Sequence, residues 1–122
     1  MGKKVLLIED EPNIIEAISF ILKRAGWIVA THADGTTAIA AIERHAPDVV
    51  VLDVMLPGRS GFDVLQELRS AEATKGLPVL MLTARGQSKD REMAERLGAS
   101  RFMTKPFPNK EVLACVQELV RG

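Results

Sequence analysis

The chain has 122 residues, enough for a buried core, and we predict that residues 1–122 form a single domain. Its 16 acidic and 16 basic residues cancel, which argues against direct binding of nucleic acid by this domain. The single cysteine excludes an intrachain disulfide, and no apolar run is long enough for a membrane span or a signal peptide. We therefore expect a cytoplasmic protein without a membrane partner.

Short apolar runs rich in β-branched residues alternate with segments whose apolar residues recur at helical spacing. Strands are predicted at residues 5–8, 28–33, 49–52, 77–82 and 101–104. Helices are predicted from Pro12 to Gly26, at 36–45, at 61–68, at 88–97 and at 112–120. Strand–helix units in succession predict an α/β fold, in which a doubly wound parallel sheet of five strands carries helices on both faces.

Residues of complementary chemistry follow four of the predicted strands. They are Glu9, Asp10 and Glu11 after the first, Asp53 after the third, Thr83 and Ala84 after the fourth, and Lys105 and Pro106 after the fifth. In open α/β sheets the carboxyl ends of the strands meet at one edge, where ligands bind, so we expect these side chains to share a site. Residues 33–35, after the second strand, are typical of a turn.

The chemistry of this set points to phosphoryl transfer. Crowded carboxylates repel one another unless a cation lies among them, and carboxylate oxygens with room for water suit Mg²⁺. A lysine and a threonine hydroxyl opposite the carboxylates would bind an anion beside the metal. Taken singly, each residue fits a turn, a helix cap or an ordinary surface group. Taken together, they favour a site in which the carboxylate of Asp53 attacks a phosphoryl group.

These residues resemble the receiver domain of bacterial two-component response regulators, and the resemblance runs from about residue 3 to residue 120. The matching segments are the acidic pair Glu9-Asp10, Asp53 with residues 55–61 after it, residues 82–84, and residues 102–107. Each segment is weakly specific alone, but their order and spacing together are specific. The resemblance implies a flavodoxin-like fold with the strand order 2-1-3-4-5.

The resemblance also implies roles for the acids. Asp53 would accept the phosphoryl group from a phosphohistidine on a sensor histidine kinase or a phosphotransfer protein. Magnesium would be bound by Asp10, Asp53 and the backbone carbonyl of Met55, with Glu9 helping directly or through water. Met55 and Arg85 would flank the path of the attacking water and so set the lifetime of the phosphoryl group.

Further implied roles concern phosphate binding and switching. Lys105, Thr83 and Ala84 form the expected phosphate-binding set, and the Lys105–Pro106 peptide bond is expected to be cis. Thr83 and Phe102 occupy the switch positions, so that Phe102 would turn inwards when Thr83 moves. The fourth helix at residues 88–97, which is weakly patterned, is a candidate for the bistable element that responds.

The output side departs from part of the family. Receivers fused to winged-helix DNA-binding domains often carry two acids and an arginine that pair across a dimer, where this chain has Ser100, Arg101 and Cys115. We therefore do not expect a dimer of that type, although a phosphorylation-dependent homodimer through helix 4, strand 5 and helix 5 stays open. We expect a stand-alone receiver that regulates an unknown output protein. The alternative is a receiver fragment of a longer regulator with a DNA-binding or enzymatic output domain.

Three other functions fit the sequence less well. A phosphatase or mutase with an aspartyl-phosphate intermediate usually has a second acid two residues after the nucleophile, where this chain has Met55. A flavin- or nucleotide-binding module would show a glycine-rich phosphate motif, which the chain lacks. A degenerate receiver would have lost part of the acidic set. We therefore expect no enzyme beyond self-catalysed phosphorylation and dephosphorylation.

Overall fold

A computed structural model describes residues 3–83 and 88–121. Strands and helices alternate along the chain. The strands are β1 (Lys4–Ile8), β2 (Ile28–His32), β3 (Val49–Asp53), β4 (Val79–Thr83) and β5 (Arg101–Thr104). The helices are α1 (Pro12–Arg24), α2 (Ala38–His45), α3 (Gly61–Ser70), α4 (Ser88–Leu97) and α5 (Asn109–Arg121). Each strand–helix alternation predicted from hydrophobic spacing is present.

The five strands form one parallel sheet in the order β2-β1-β3-β4-β5. This confirms the doubly wound, flavodoxin-like arrangement. All residues of β3 and β4 are buried, as expected for strands covered by helices on both faces. The order reverses between β1 and β3, so their carboxyl ends flank the crevice in which ligands bind in sheets of this class.

Alternate strand residues feed two separate apolar layers. Leu6 and Ile8 of β1 belong to the layer that includes residues of α2, α3 and α4, whereas Val5 and Leu7 belong to the layer that includes residues of α1 and α5. The alternation follows from the two-residue period of a strand. Within residues 3–83 and 88–121, no helix has both the length and the apolar character that crossing a bilayer requires.

Several predicted boundaries are wrong by one or two residues. The strand predicted at 77–82 begins at Val79, after Pro78, and extends to Thr83. The helix predicted at 36–45 begins at Ala38, because the residues before it form a turn in which Asp34 Oδ1 accepts the Thr36 amide at 2.6 Å. The third strand extends by one residue, so that Asp53 is its last residue and not the residue after it.

Candidate functional site

Three carboxylates meet at the carboxyl edge of the sheet. One carboxylate oxygen from each of Glu9, Asp10 and Asp53 lies within 4.8 Å of the other two. Glu9 follows β1 and Asp53 ends β3, and these strands pair directly, with Ile8 opposite Leu52, so their terminal side chains are neighbours. Glu9 and Asp53 are buried, whereas Asp10 is exposed. The predicted convergence of these acids is observed, and their roles stay predictions.

Glu9 divides its two oxygens between the backbone and the site. Its Oε2 accepts the amides of Asp10 at 3.2 Å and Glu11 at 3.1 Å, which fixes the carboxylate against the start of α1. Its Oε1 is buried and lies 3.1 Å from Lys105 Nζ as an ion pair, but it accepts no hydrogen bond of good geometry among the described residues. One buried carboxylate oxygen therefore faces the cluster with lone pairs to spare.

The carboxyl group of Asp53 is held between a backbone amide and an ammonium group. Its Oδ1 accepts the amide of Met55 at 3.3 Å, and its Oδ2 lies 3.4 Å from Lys105 Nζ. Burial, followed by the negative charge of Glu9, raises the pKa of Asp53 to about 7, and Lys105 offsets this only in part. A further positive charge among the acids would therefore favour the carboxylate form that a nucleophile needs.

Lys105 brings a positive charge to the acids. It directly follows β5, and its Nζ lies within 4 Å of carboxylate oxygens of Glu9, Asp53 and, at 3.7 Å, Glu11. Burial acts to lower the pKa of Lys105, but the carboxylates of Asp53 and Glu9 outweigh it and the pKa is raised. The Lys105–Pro106 peptide bond is cis, as expected. Lys105 is therefore charged and faces the acids.

The family model of the response regulator receiver domain matches residues 5–117. The chain belongs to this family. It is therefore a receiver domain of the kind found in two-component systems. The match covers both the acids that follow β1 and the lysine that follows β5.

Two curated relatives of this receiver domain are transcriptional regulatory proteins. It is 48% identical over 117 residues to the probable transcriptional regulatory protein TcrX of Mycobacterium tuberculosis, which covers 96% of this chain and 49% of that protein. It is 40% identical to the alkaline phosphatase synthesis transcriptional regulatory protein PhoP of Bacillus subtilis, over 99% of this chain and 50% of that protein. The chain thus spans about half the length of these relatives.

The structural similarity extends over the whole chain. A putative response regulator from Chloroflexus aurantiacus has a TM-score of 0.94 at 30% identity, over 100% of both chains. The receiver domain of the sensor histidine kinase PA1611 from Pseudomonas aeruginosa, with a magnesium ion coordinated in its active-site cleft, has a TM-score of 0.90 at 30% identity over 100% of both chains.

The donor set of this receiver domain fits a divalent cation. Carboxylate oxygens are the hard ligands that magnesium prefers, and three acids contribute them here. Buried Glu9 Oε1 has lone pairs free to bind a cation. Burial and the charge of Glu9 raise the pKa of Asp53, and a cation bound among the acids would lower it again. Exposed Asp10 leaves the cluster accessible from solvent.

Thr83 ends β4, the strand next to β3, and Phe102 lies on the edge strand β5. The buried Thr83 hydroxyl donates to Asp90 Oδ2 on α4 at 3.4 Å. Phe102 is half-buried against the apolar layer of α2, α3 and α4, and the Arg91 guanidinium lies over its ring at 5.7 Å from the centroid. Both expected switch residues thus contact α4 or its apolar layer, and their movement stays a prediction.

Other predicted site residues are described only in part. The amide of Met55 donates to Asp53 Oδ1, and the residue as a whole is 56% exposed. Ala84 and Arg85, predicted to bind phosphate and to set its lifetime, lie outside the described residues. Glu11 was expected at this edge of the sheet but was given no role of its own. Glu11 makes no side-chain cap bond for α1, and its carboxylate approaches Lys105 instead.

Arg101 and Cys115, two of the residues at which we expected a departure from the dimer-forming set, make contacts within the chain. Arg101 on β5 forms an ion pair with Glu118 on α5 of the same chain. Cys115 is buried in the layer of α1 and α5, and this burial raises the pKa of its thiol. The side chain of Arg101 is therefore engaged within the chain, and Cys115 serves in packing.

Proposed function

We propose that this receiver domain accepts a phosphoryl group on Asp53 from a phosphohistidine, in a reaction that depends on magnesium. One observation carries the proposal. Asp53 ends a central strand with its carboxyl group buried between the ammonium group of Lys105 and the acids Glu9 and Asp10. A nucleophile, a cation for the incoming oxygens and a metal-binding set thereby meet at the carboxyl edge of the sheet.

An oxygen of the Asp53 carboxylate attacks phosphorus, and the bond between phosphorus and the histidine nitrogen breaks. The electron pair of that bond stays on the imidazole nitrogen, which takes up a proton from water. Lys105, 3.4 Å from Asp53 Oδ2, is placed to attract the phosphoryl oxygens. Magnesium held by Asp10, Asp53 and the Met55 carbonyl, with Glu9 directly or through water, would supply positive charge that keeps Asp53 ionised.

The donor in this proposal is a sensor histidine kinase or a phosphotransfer protein. Membership of the receiver family supports this class of partner. The chain itself would catalyse only its own phosphorylation and the later hydrolysis of the acyl phosphate. Met55 stands two residues after Asp53, where a phosphatase would place its acid–base group, and this supports a switch over an enzyme with metabolite turnover.

Phosphorylation would then alter the face formed by α4, β5 and α5. The phosphoryl group adds almost two negative charges at the end of β3. To donate to a phosphoryl oxygen, Thr83 would have to release Asp90, which would loosen the start of α4 and open room for Phe102. The changed face would regulate an output partner or pair with a second copy.

A longer transcriptional regulator is a second candidate for the output. The curated relatives are named as transcriptional regulatory proteins, and this chain covers about half of each. A DNA-binding output domain in the same polypeptide is therefore the partner that the relatives favour. A stand-alone receiver acting on a separate protein is the alternative.

Intact mass after incubation with acetyl phosphate and magnesium tests the proposal. The wild type should gain about 80 Da, and chelation of magnesium should abolish the gain. Asp53→Asn should gain nothing, whereas Asp63→Asn, which neutralises an exposed acid in the first turn of α3, should behave as the wild type. A folded wild type without a mass gain would disprove the proposal, and so would labelling of Asp53→Asn. Steady phosphate release from a small ester would indicate an enzyme.

A further inference from the structure

The loop that follows Asp53 closes upon the backbone of Asp53 itself. This β3–α3 loop (residues 54–60) returns to Gly61, whose amide donates to the carbonyl of Val54 at 2.9 Å. A Cβ atom at position 61 would lie 2.1 Å from the carbonyl oxygen of Asp53. The base of the loop is therefore fixed by a close backbone contact that glycine alone permits.

The tip of the same loop is held by a second loop. In the β2–α2 loop (residues 33–37), the amide of Gly35 donates to the carbonyl of Pro57 at 2.9 Å. A Cβ atom at position 35 would lie 1.9 Å from the carbonyl oxygen of Arg59 and 2.8 Å from its carbon. Gly58, at φ +81°, likewise leaves no space for a Cβ, which would lie 2.1 Å from Thr36 Oγ1. The two loops thus interlock through glycines on each side.

Both sides of this contact are anchored to the fold. The β2–α2 loop is stiffened by the bond from the Thr36 amide to Asp34 Oδ1 at 2.6 Å. Just before it, the carbonyl of His32 accepts the amide of Glu9 at 2.9 Å. On the other side, Arg59 is tied to α3 by its ion pair with Glu67 at 2.7 Å. Moving the tips of the two loops apart would therefore strain the backbone beside Glu9 and the start of α3.

We propose that Gly35 is a positioning residue: by allowing the β2–α2 loop to lock the tip of the β3–α3 loop, it sets the backbone around Met55 beside Asp53. The inference rests on the proposed function of Asp53. Met55 lies between the fixed base and the fixed tip, and its amide donates to Asp53 Oδ1 at 3.3 Å. A shift at the tip therefore reaches the orientation of the carboxyl group and the expected metal-binding carbonyl of Met55.

Replacement of Gly35 by alanine provides the test. Since the colliding atoms belong to backbone, the two loops must move apart. We expect Gly35→Ala to weaken magnesium binding in calorimetry on the order of tenfold, because displacements of about 1 Å at such sites carry large effects. Hydrogen exchange of residues 54–61 in magnesium-free protein should be faster, with β4 and α5 unchanged. Labelling by acetyl phosphate should be slower.

Gly76→Ala is the matched control. A Cβ at position 76 meets nothing within 4 Å, and its backbone has no positive φ that would disfavour alanine. Gly76→Ala should match the wild type in magnesium affinity, in hydrogen exchange of residues 54–61 and in labelling by acetyl phosphate. If Gly35→Ala and Gly76→Ala had the same magnesium affinity and the same hydrogen exchange in residues 54–61, Gly35 would not be a positioning residue. A wild type that is never labelled would refute the function of Asp53, while the exchange comparison would still decide the loop contact.

A second pair of variants decides the matter if Gly35→Ala does not fold. Gly58→Asn places a side chain against Thr36 Oγ1 with a residue that tolerates positive φ. Adding Thr36→Ala removes the colliding hydroxyl, the nearest atom, while Asp34 Oδ1 at 3.0 Å and the Cβ of residue 36 at 3.3 Å stay close. The positioning role requires that the double variant recovers magnesium affinity and slow exchange of residues 54–61 relative to Gly58→Asn. Absence of any recovery would refute it.

Discussion

Helices α1 and α4 both begin at the carboxyl edge of the sheet, but they are attached in different ways. In α1, Ile18 and Leu22 are fully buried, and further isoleucines pack against the same layer. In α4, among residues 89–97, only Ala94 is buried, and Met93 is 36% exposed. A broad apolar face fixes α1, whereas α4 presents a narrow one.

Polar contacts at its two ends compensate for the narrow face of α4. At its start, Asp90 accepts the hydroxyl of Thr83. Just after its end, Arg69 Nε of α3 donates to the carbonyl of Gly98 at 2.8 Å. Arg69 Nη1 donates at 3.3 Å to the carbonyl of Thr74, between α3 and β4. Elements with few buried apolar contacts open at low free energy, and we therefore expect α4 to open more readily than α1.

The largest expected difference between the two helices comes from matched leucine truncations. Leu22→Ala in α1 should lower the free energy of unfolding by about 2–5 kcal/mol, because Leu22 is fully buried. Leu97→Ala in α4 removes the same atoms from a partly exposed position and should have a smaller effect. Urea unfolding followed by circular dichroism measures both. Equal losses would contradict the contrast between the helices.

The next largest effect is expected for Arg69, which hydrogen bonds to the carbonyl of Gly98 directly after α4. Arg69→Ala removes two hydrogen bonds of a charged group and should lower the free energy of unfolding by about 1–2 kcal/mol. It should also speed hydrogen exchange in the last turn of α4, but not in α1.

Arg96→Ala is the control for Arg69→Ala, since Arg96 is an exposed arginine on α4. It should change neither the unfolding free energy nor the exchange of α4 beyond small surface effects. If Arg69→Ala lowered the free energy of unfolding without faster hydrogen exchange in α4, the contribution of Arg69 to stability would come from its bond to Thr74 and not from its bond to Gly98.

Hydrophobic spacing was sufficient to predict the strand–helix alternation, because buried strands and amphipathic helices have different periods. It did not specify which strands are neighbours, since alternation is compatible with several sheet orders. The order confirmed here came from the resemblance to receiver domains. Boundaries were less predictable. The start of α2 is displaced to Ala38 by the side chain of Asp34, which hydrogen bonds to a backbone amide.

The site was predictable to the extent that it depends on strand ends. Glu9, Asp10, Asp53 and Lys105 converge because parallel strands deliver their ends to one edge. Contacts made by loops were not predictable. The turn at Gly35 was recognised, but nothing in its sequence indicates that Arg59 lies against it.

The contact between Thr83 and Asp90 was also missed, and a weak signal for it existed. Asp90 lies in the first turn of α4, seven residues after Thr83. An acid at that place is usually interpreted as a favourable partner of the helix dipole. Only the position of α4 over the end of β4 shows that its carboxylate accepts a hydroxyl of the site.

The smallest expected effect concerns this contact at the start of α4. Asp90→Ala removes the acceptor of the Thr83 hydroxyl and should lower the free energy of unfolding by less than about 1 kcal/mol. Its effect should be local, with faster hydrogen exchange in the first turn of α4 and no change in α1.

Two further variants isolate the acceptor at position 90. Asp90→Asn keeps a side-chain oxygen and should preserve most of the protection in the first turn of α4. Glu92→Ala removes an exposed acid from the same helix and should leave that protection unchanged. If Asp90→Ala and Glu92→Ala have the same exchange in this turn, the start of α4 does not depend on the bond to Thr83. In that case a route from Thr83 to α4 would have to run through other contacts.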